Sequence, residues 1–144
     1  MADLFNLQRK VKLTTDTIGT FADSACASVN EVAGRVVSIA LISDRRMKEL
    51  NDLFRGKDST TDVLSFPSTD KRQLGEIAIS ADRAAAQARS FGHSISNEIR
   101  ILMLHGLLHL LGMDHETDRG EMARAEARWR RKLDLPNTLI ARAS

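Results

Sequence analysis

The sequence predicts an α+β fold in which a small mixed β-sheet is packed with helices, and a central buried helix carries a group of histidines. Three observations predict it. Short β-branched runs alternate with segments of helical period, but the runs are too few for a large parallel sheet. The segment Asn97 to Leu111 is apolar almost all round, the mark of a helix buried on every side. Serines and glycines stand where helices should start and stop.

Taken in order, Leu4 to Leu7 is a weak early strand. A helix is expected from about Thr15 to Val32, with Ile18, Phe21, Ala22, Ala25 and Val29 on one side. "RVVSIALIS", Arg35 to Ser43, reads as a central strand. Ser43 or Asp44 can cap a helix through Phe54, its inner face made by Met47, Leu50 and Phe54. The polar half of "RGKDSTTDVLSFP" is turn-like, and Val63 to Phe66 forms a short strand closed by Pro67. "LGEIAIS", Leu74 to Ser80, is the next strand, and Ser80 caps a helix that Gly92 ends. The buried helix follows and Gly112 stops it. A charged last helix runs from about Asp118 to Leu133.

The chain of 144 residues is 42% hydrophobic and 28% charged, which suits one domain, residues 1–144, with a single core. One cysteine, Cys26, allows no internal disulfide and fits a reducing compartment. The N-terminus lacks a signal-peptide core, so a cytoplasmic location is expected. Ile99 to Met113 is too short to span a bilayer, so no membrane partner is expected. A net charge of +2 does not by itself point to nucleic acid.

"HGLLHLLGMDH" carries the chemistry. His105 and His109, four apart on a helix, stand on one face. Gly112 permits a sharp turn that brings His115 back towards them. Three neutral imidazoles can hold one metal ion and leave a fourth position open, as catalytic zinc sites do. Zinc, one ion per chain, is favoured, although nickel, copper or iron also suit imidazole. The spacing is that of the zinc-protease signature H-E-x-x-H-x-x-G-x-x-H, but Gly106 stands where the protease keeps its general-base glutamate. A phosphodiester substrate makes other demands. The nucleophile can come from metal-activated water or from a neighbouring RNA 2′-hydroxyl, and a cation is needed for the transition state.

The stretch "HGLLHLLGMDH" resembles the H-G-x-L-H-L-x-G-[YM]-D-H signature of the bacterial YbeY family of ribosomal-RNA maturation endoribonucleases. "LNDLFRGKDSTTDVLSFP", Leu50 to Pro67, resembles the family block N-x-x-[YF]-R-x-K-D-x-x-T-[DN]-V-L-S-F-P. "LGEIAIS" and "FGHS" (Phe91 to Ser94) are similar to two shorter family segments. Met113 replaces a common tyrosine and Glu76 a common aspartate. The resemblance implies metal ligands at His105, His109 and His115 and a catalytic arginine at Arg55. It also implies a single-strand-specific metal-dependent endoribonuclease acting in 16S rRNA 3′-end maturation and ribosome quality control. Its partners would be single-stranded rRNA and the small ribosomal subunit, not DNA.

Each motif residue also has a plainer reading. Arg55 can hold a phosphate bidentately, or merely favour a helix dipole. Lys57 and Asp58 can add phosphate affinity or form a solvated turn. Thr61 and Asp62 can line a cleft or make side-chain turns. His93 is assigned a capping or loop role, and Asp114 either orients an imidazole or shapes a turn. Arg124, Arg128, Arg130, Arg131 and Lys132 read as a solvated face, with a Glu126–Arg130 pair and Trp129 as the anchor. The rival functions are a metallopeptidase and a non-enzymatic ribosome-assembly factor with a structural metal.

Overall fold

The structure is a computed structural model that describes residues 2–29, 32 and 34–143. Its elements in chain order are β1 (Ala2–Asn6), α1 (Thr15–Ser28), β2 (Val36–Ile42), α2 (Asp44–Arg55) and β3 (Val63–Pro67). They continue with β4 (Gln73–Ser80), α3 (Ala81–Phe91), α4 (Ile95–Leu110), α5 (Glu121–Leu133) and α6 (Leu139–Ala143). The sheet order is β1-β2-β4-β3. β1 and β4 both run parallel to β2, and β3 is antiparallel to β4, so the sheet is mixed.

Alternation along β2 divides the core. Val37, Ile39 and Leu41 join Ile77 and Ile79 of β4 beneath α1 and α4. Ile42, Leu64 and Ala78 form a smaller cluster with Met47 of α2. Period-two side-chain geometry requires this split. The helix α4 is buried almost throughout, from Glu98 to Leu108, as its all-round apolar sequence predicts.

Serine caps set the helix starts. The hydroxyls of Ser43, Ser80 and Ser94 accept hydrogen bonds from the backbone N–H groups of Arg46, Arg83 and Asn97. The Ser94 cap starts α4 at Ile95, two residues before the expected Asn97. Gly92 ends α3 in the left-handed conformation. β3 includes Pro67, which is tolerated because β3 is an edge strand.

Four expectations need correction. β1 spans Ala2–Asn6 rather than Leu4 to Leu7, because its pairing with β2 begins at Ala2–Val37. α1 ends at Ser28, where Val29 turns extended; of the remaining expected span, Asn30 and Glu31 lie outside the described residues. α5 begins at Glu121 because the Asp118 carboxylate accepts from the N–H groups of Gly120 and Met122 and holds a turn ahead of the helix. Phe54 is 61% exposed instead of lining the inner face of α2. It meets Phe66 edge-on at 5.1 Å, which shields one side of its ring, and buried Asn51 joins Met47 beneath the helix.

Gly106 lies where α4 presses on the sheet. A Cβ there would come 2.9 Å from Ile77 Cγ2 and 3.2 Å from Ser65 Oγ. The Ser65 hydroxyl also donates to the Gly106 carbonyl at 3.0 Å. The glycine is therefore a requirement of packing as well as the lack of a base. Gly106→Ala should lose about 1–3 kcal/mol by overpacking, seen as a fall of several degrees in Tm. An unchanged Tm in thermal denaturation would contradict the packing role.

Candidate metal centre and cleft

The last turns of α4 carry His105 and His109. The chain then reverses at Gly112, whose φ of 92° is in the left-handed region that glycine tolerates. Hydrogen bonds from Gly112 N–H to His109 O (2.9 Å) and from Met113 N–H to Leu108 O (3.1 Å) close the turn. His115 thereby returns to the pair. The three imidazoles have ring centroids 4.7, 5.3 and 6.0 Å apart. One nitrogen from each lies within 4.8 Å of the others.

The rings differ in burial. His105 is buried, His109 half-buried and His115 exposed. His105 Nδ1 lies 2.7 Å from Glu126 Oε2. A carboxylate only accepts, so Nδ1 carries the hydrogen and the Nε2 lone pair faces the other rings. His105 Nε2 and His109 Nε2 stand 3.1 Å apart. Converging imidazole nitrogens of this kind fit a shared cation, and the donor set suits zinc or a similar transition metal.

A cleft of about 560 Å3 opens over the triad. Arg55, at the end of α2, lines it from the other side of the sequence, as do Thr61, Asp62 and Ser65. Leu139 and Ile140 of α6 add an apolar wall. The Arg55 loop is tied down beneath. Asn51 Nδ2 donates to Ser59 O at 2.8 Å, and Asp62 Oδ1 accepts from Val63 N–H at 2.8 Å. Thr61 and Asp62 both line the cleft, and Asp62 also shapes the start of β3.

Other candidates fall elsewhere. Lys57 and Asp58 are exposed outside the cleft lining, and Asp58 pairs with Lys48 at 3.7 Å. His93 bonds Glu98 at 2.7 Å, away from the triad. Asp114 accepts from the Glu116 N–H and shapes the turn; it lines the cleft with no hydrogen bond to an imidazole among those described. On α5, Arg128 and Lys132 flank Trp129, and Arg130 donates to Pro136 O, none of them lining the cleft.

The expected Glu126–Arg130 surface pair is overturned. Glu126 is 1% exposed and faces His105. Its helical register explains why: it shares the buried face of α5 with Met122, Ala125 and Trp129. A carboxylate in phase with an apolar face needs a buried partner, and that signal was available in the sequence. The wall formed by α6 had no comparable signal, since five residues after a proline carry too little periodicity.

Burial lowers the His109 pKa below its ordinary 6.5, with His105 and His115 pushing the same way and Asp114 and the Met113 backbone opposing. A folded ring with a lowered pKa takes up its proton later than an unfolded one as the pH falls. Its contribution to stability is therefore full above about 6.5 and is lost as the pH drops through the folded value. In metal-free protein the His109 ring should titrate below 6.5 by NMR. A midpoint at or above that value would contradict the burial argument.

Comparison with known proteins identifies the family. The family model described as "Endoribonuclease YbeY" matches residues 3–134. The chain is 58% identical over 113 residues to the endoribonuclease YbeY of Solibacter usitatus, covering 78% of this chain and 76% of that one. It is 43% identical over 110 residues to the Helicobacter pylori protein of the same name, covering 75% and 79%. The solution structure of a Thermotoga maritima protein aligns with a TM-score of 0.65 at 28% identity, covering 92% of this chain and 89% of that one. With its motifs, its triad and these relatives in agreement, the chain belongs to the YbeY family.

Proposed function

We propose that this chain, acting as one domain over residues 1–144, is a metal-dependent endoribonuclease that cuts single-stranded ribosomal RNA. The setting is 16S rRNA 3′-end maturation and ribosome quality control on the small ribosomal subunit, in the cytoplasm. One observation carries the chemistry: three imidazoles converge on the floor of a cleft that Arg55 also lines. The relatives named endoribonuclease supply the substrate class.

In this reading His105, His109 and His115 hold a single zinc ion through neutral nitrogens. A bound zinc ion supplies Lewis-acid stabilisation of charge on a phosphate oxygen. Arg55 presents its guanidinium to the phosphate, where two parallel N–H bonds match two oxygens. Charge that develops on the phosphate in the transition state strengthens that contact. Product ends separate the two routes of attack: a 5′-phosphate marks water and a 2′,3′-cyclic phosphate marks the RNA 2′-hydroxyl.

The peptidase alternative lacks its glutamate base at position 106 and lacks room for one there. Position 106 points its missing Cβ at Ile77 and Ser65, so a glutamate would collide with the sheet.

Two variants test the assignment. Purified protein should carry about one zinc per chain, and His109→Ala should lose most of it by elemental analysis. Unchanged stoichiometry would remove the triad from the metal site. Arg55→Ala should keep its metal and change stability by less than about 0.5 kcal/mol, yet cleave single-stranded RNA about a hundredfold more slowly. Arg55→Lys should recover only part of the rate, because a point charge cannot form the bidentate fork. Wild-type cleavage by Arg55→Ala would end the proposed role.

A further inference from the structure

The buried carboxylate of Glu126 reaches two parts of the site at once. Oε2 lies 2.7 Å from His105 Nδ1, and Oε1 accepts from the Ile140 backbone N–H at 3.1 Å. Both oxygens are thus engaged, as a 1% exposed carboxylate requires. The two contacts lead to different structures. His105 belongs to the triad on α4. Ile140 belongs to α6, where it and Leu139 line the cleft. The N–H of Ile140 lies in the first turn of α6, where backbone donors have no partner within their own helix. Ile140 also lies beyond residues 3–134, the span matched by the family model.

We propose that Glu126 is a positioning residue that locks the His105 tautomer and latches the C-terminal helix to the metal centre. The proposal rests on the triad holding a metal. One oxygen fixes the hydrogen on Nδ1, so that Nε2 meets the ion as a lone pair in a set orientation. The other oxygen holds the α6 wall against the same centre. The ligand geometry and the cleft wall therefore share one carboxylate, and a change at Glu126 disturbs both. An isolated surface glutamate would affect neither.

A glutamine at 126 separates these jobs. Its single carbonyl oxygen can accept from His105 or from Ile140, but its amide NH2 accepts from neither. One latch is lost in either orientation, with almost no change in volume. Alanine loses both.

The test titrates zinc into chelator-stripped wild type, Glu126→Gln and Glu126→Ala against a chromophoric chelator. It also reads the His105 tautomer by 15N NMR and the Ile140 amide by hydrogen exchange in the metal-free proteins. Outer-shell partners of metal ligands typically contribute about 10- to 100-fold in affinity. Glu126→Ala should weaken zinc binding by about that factor and Glu126→Gln by less. His105 should carry its hydrogen on Nδ1 in the wild type and lose that preference in Glu126→Ala, a change that a merely structural role would not produce. The Ile140 amide should exchange faster in Glu126→Ala. Glu126→Gln is nearly isosteric and keeps the test valid if Glu126→Ala does not fold. Wild-type zinc affinity in Glu126→Gln, or in a folded Glu126→Ala, would overturn the proposal, as would a wild-type His105 with its hydrogen on Nε2. Wild-type protein that takes up no zinc would instead overturn the metal reading beneath it.

Discussion

The close approach of α4 to the sheet at Gly106 governs where the site can form. α4 is enclosed on nearly all sides, so it cannot roll without exposing side chains such as Leu102, Leu104 and Leu108. Fully burying each of these is worth roughly 1.5–3 kcal/mol. The missing side chain at 106 lets the helix settle onto Ile77, and the Ser65 hydroxyl fastens its carbonyl. His105 and His109 flank this contact in sequence. Their directions are therefore set by core packing rather than by a mobile loop, which is what a preorganised site needs.

Placing polar groups in such a core demands partners for each of them. Buried His105 meets Glu126, and Glu126 meets both His105 and the Ile140 N–H. His93 and fully buried Glu98 solve the same problem at the other end of α4. Exposure increases towards the cleft, from buried His105 through His109 to exposed His115. The triad thus joins the rigid interior to a surface that a large substrate can reach. Arg55 belongs to that outer edge. It ends a helix whose left-handed Gly56 cap turns the chain into the loop along the cleft.

Much of this was readable from residue pattern. Serine caps, the Gly92 and Gly112 stops, alternation along β2 and the all-apolar α4 are local signals, and local chemistry settled them. The triad was readable because a helix turn and a glycine turn fix its spacing almost without tertiary context. What escaped depends on long-range packing. Phe54 has the right period for an inner face, yet it stays 61% exposed and meets the ring of Phe66 edge-on. Glu126 has an i,i+4 arginine that mimics a surface pair, although its phase with Met122 and Trp129 places it inside. Gly106 looked like an omission in a protease motif, and its contact with Ile77 is visible only once helix and sheet are in place. α6 is too short to announce itself, and its place in the cleft comes from contacts with earlier parts of the chain.

The most direct measurement is cleavage of a defined single-stranded RNA and its duplex form by homogeneous protein. It is made before chelation, after it, and after return of one equivalent of zinc. A single-strand-specific metalloenzyme should cut the single strand and leave the duplex largely intact, lose cutting with the chelator and recover it on adding zinc. Cleavage that persists in fully stripped protein, or metal-loaded protein that leaves single-stranded RNA intact, would contradict that assignment.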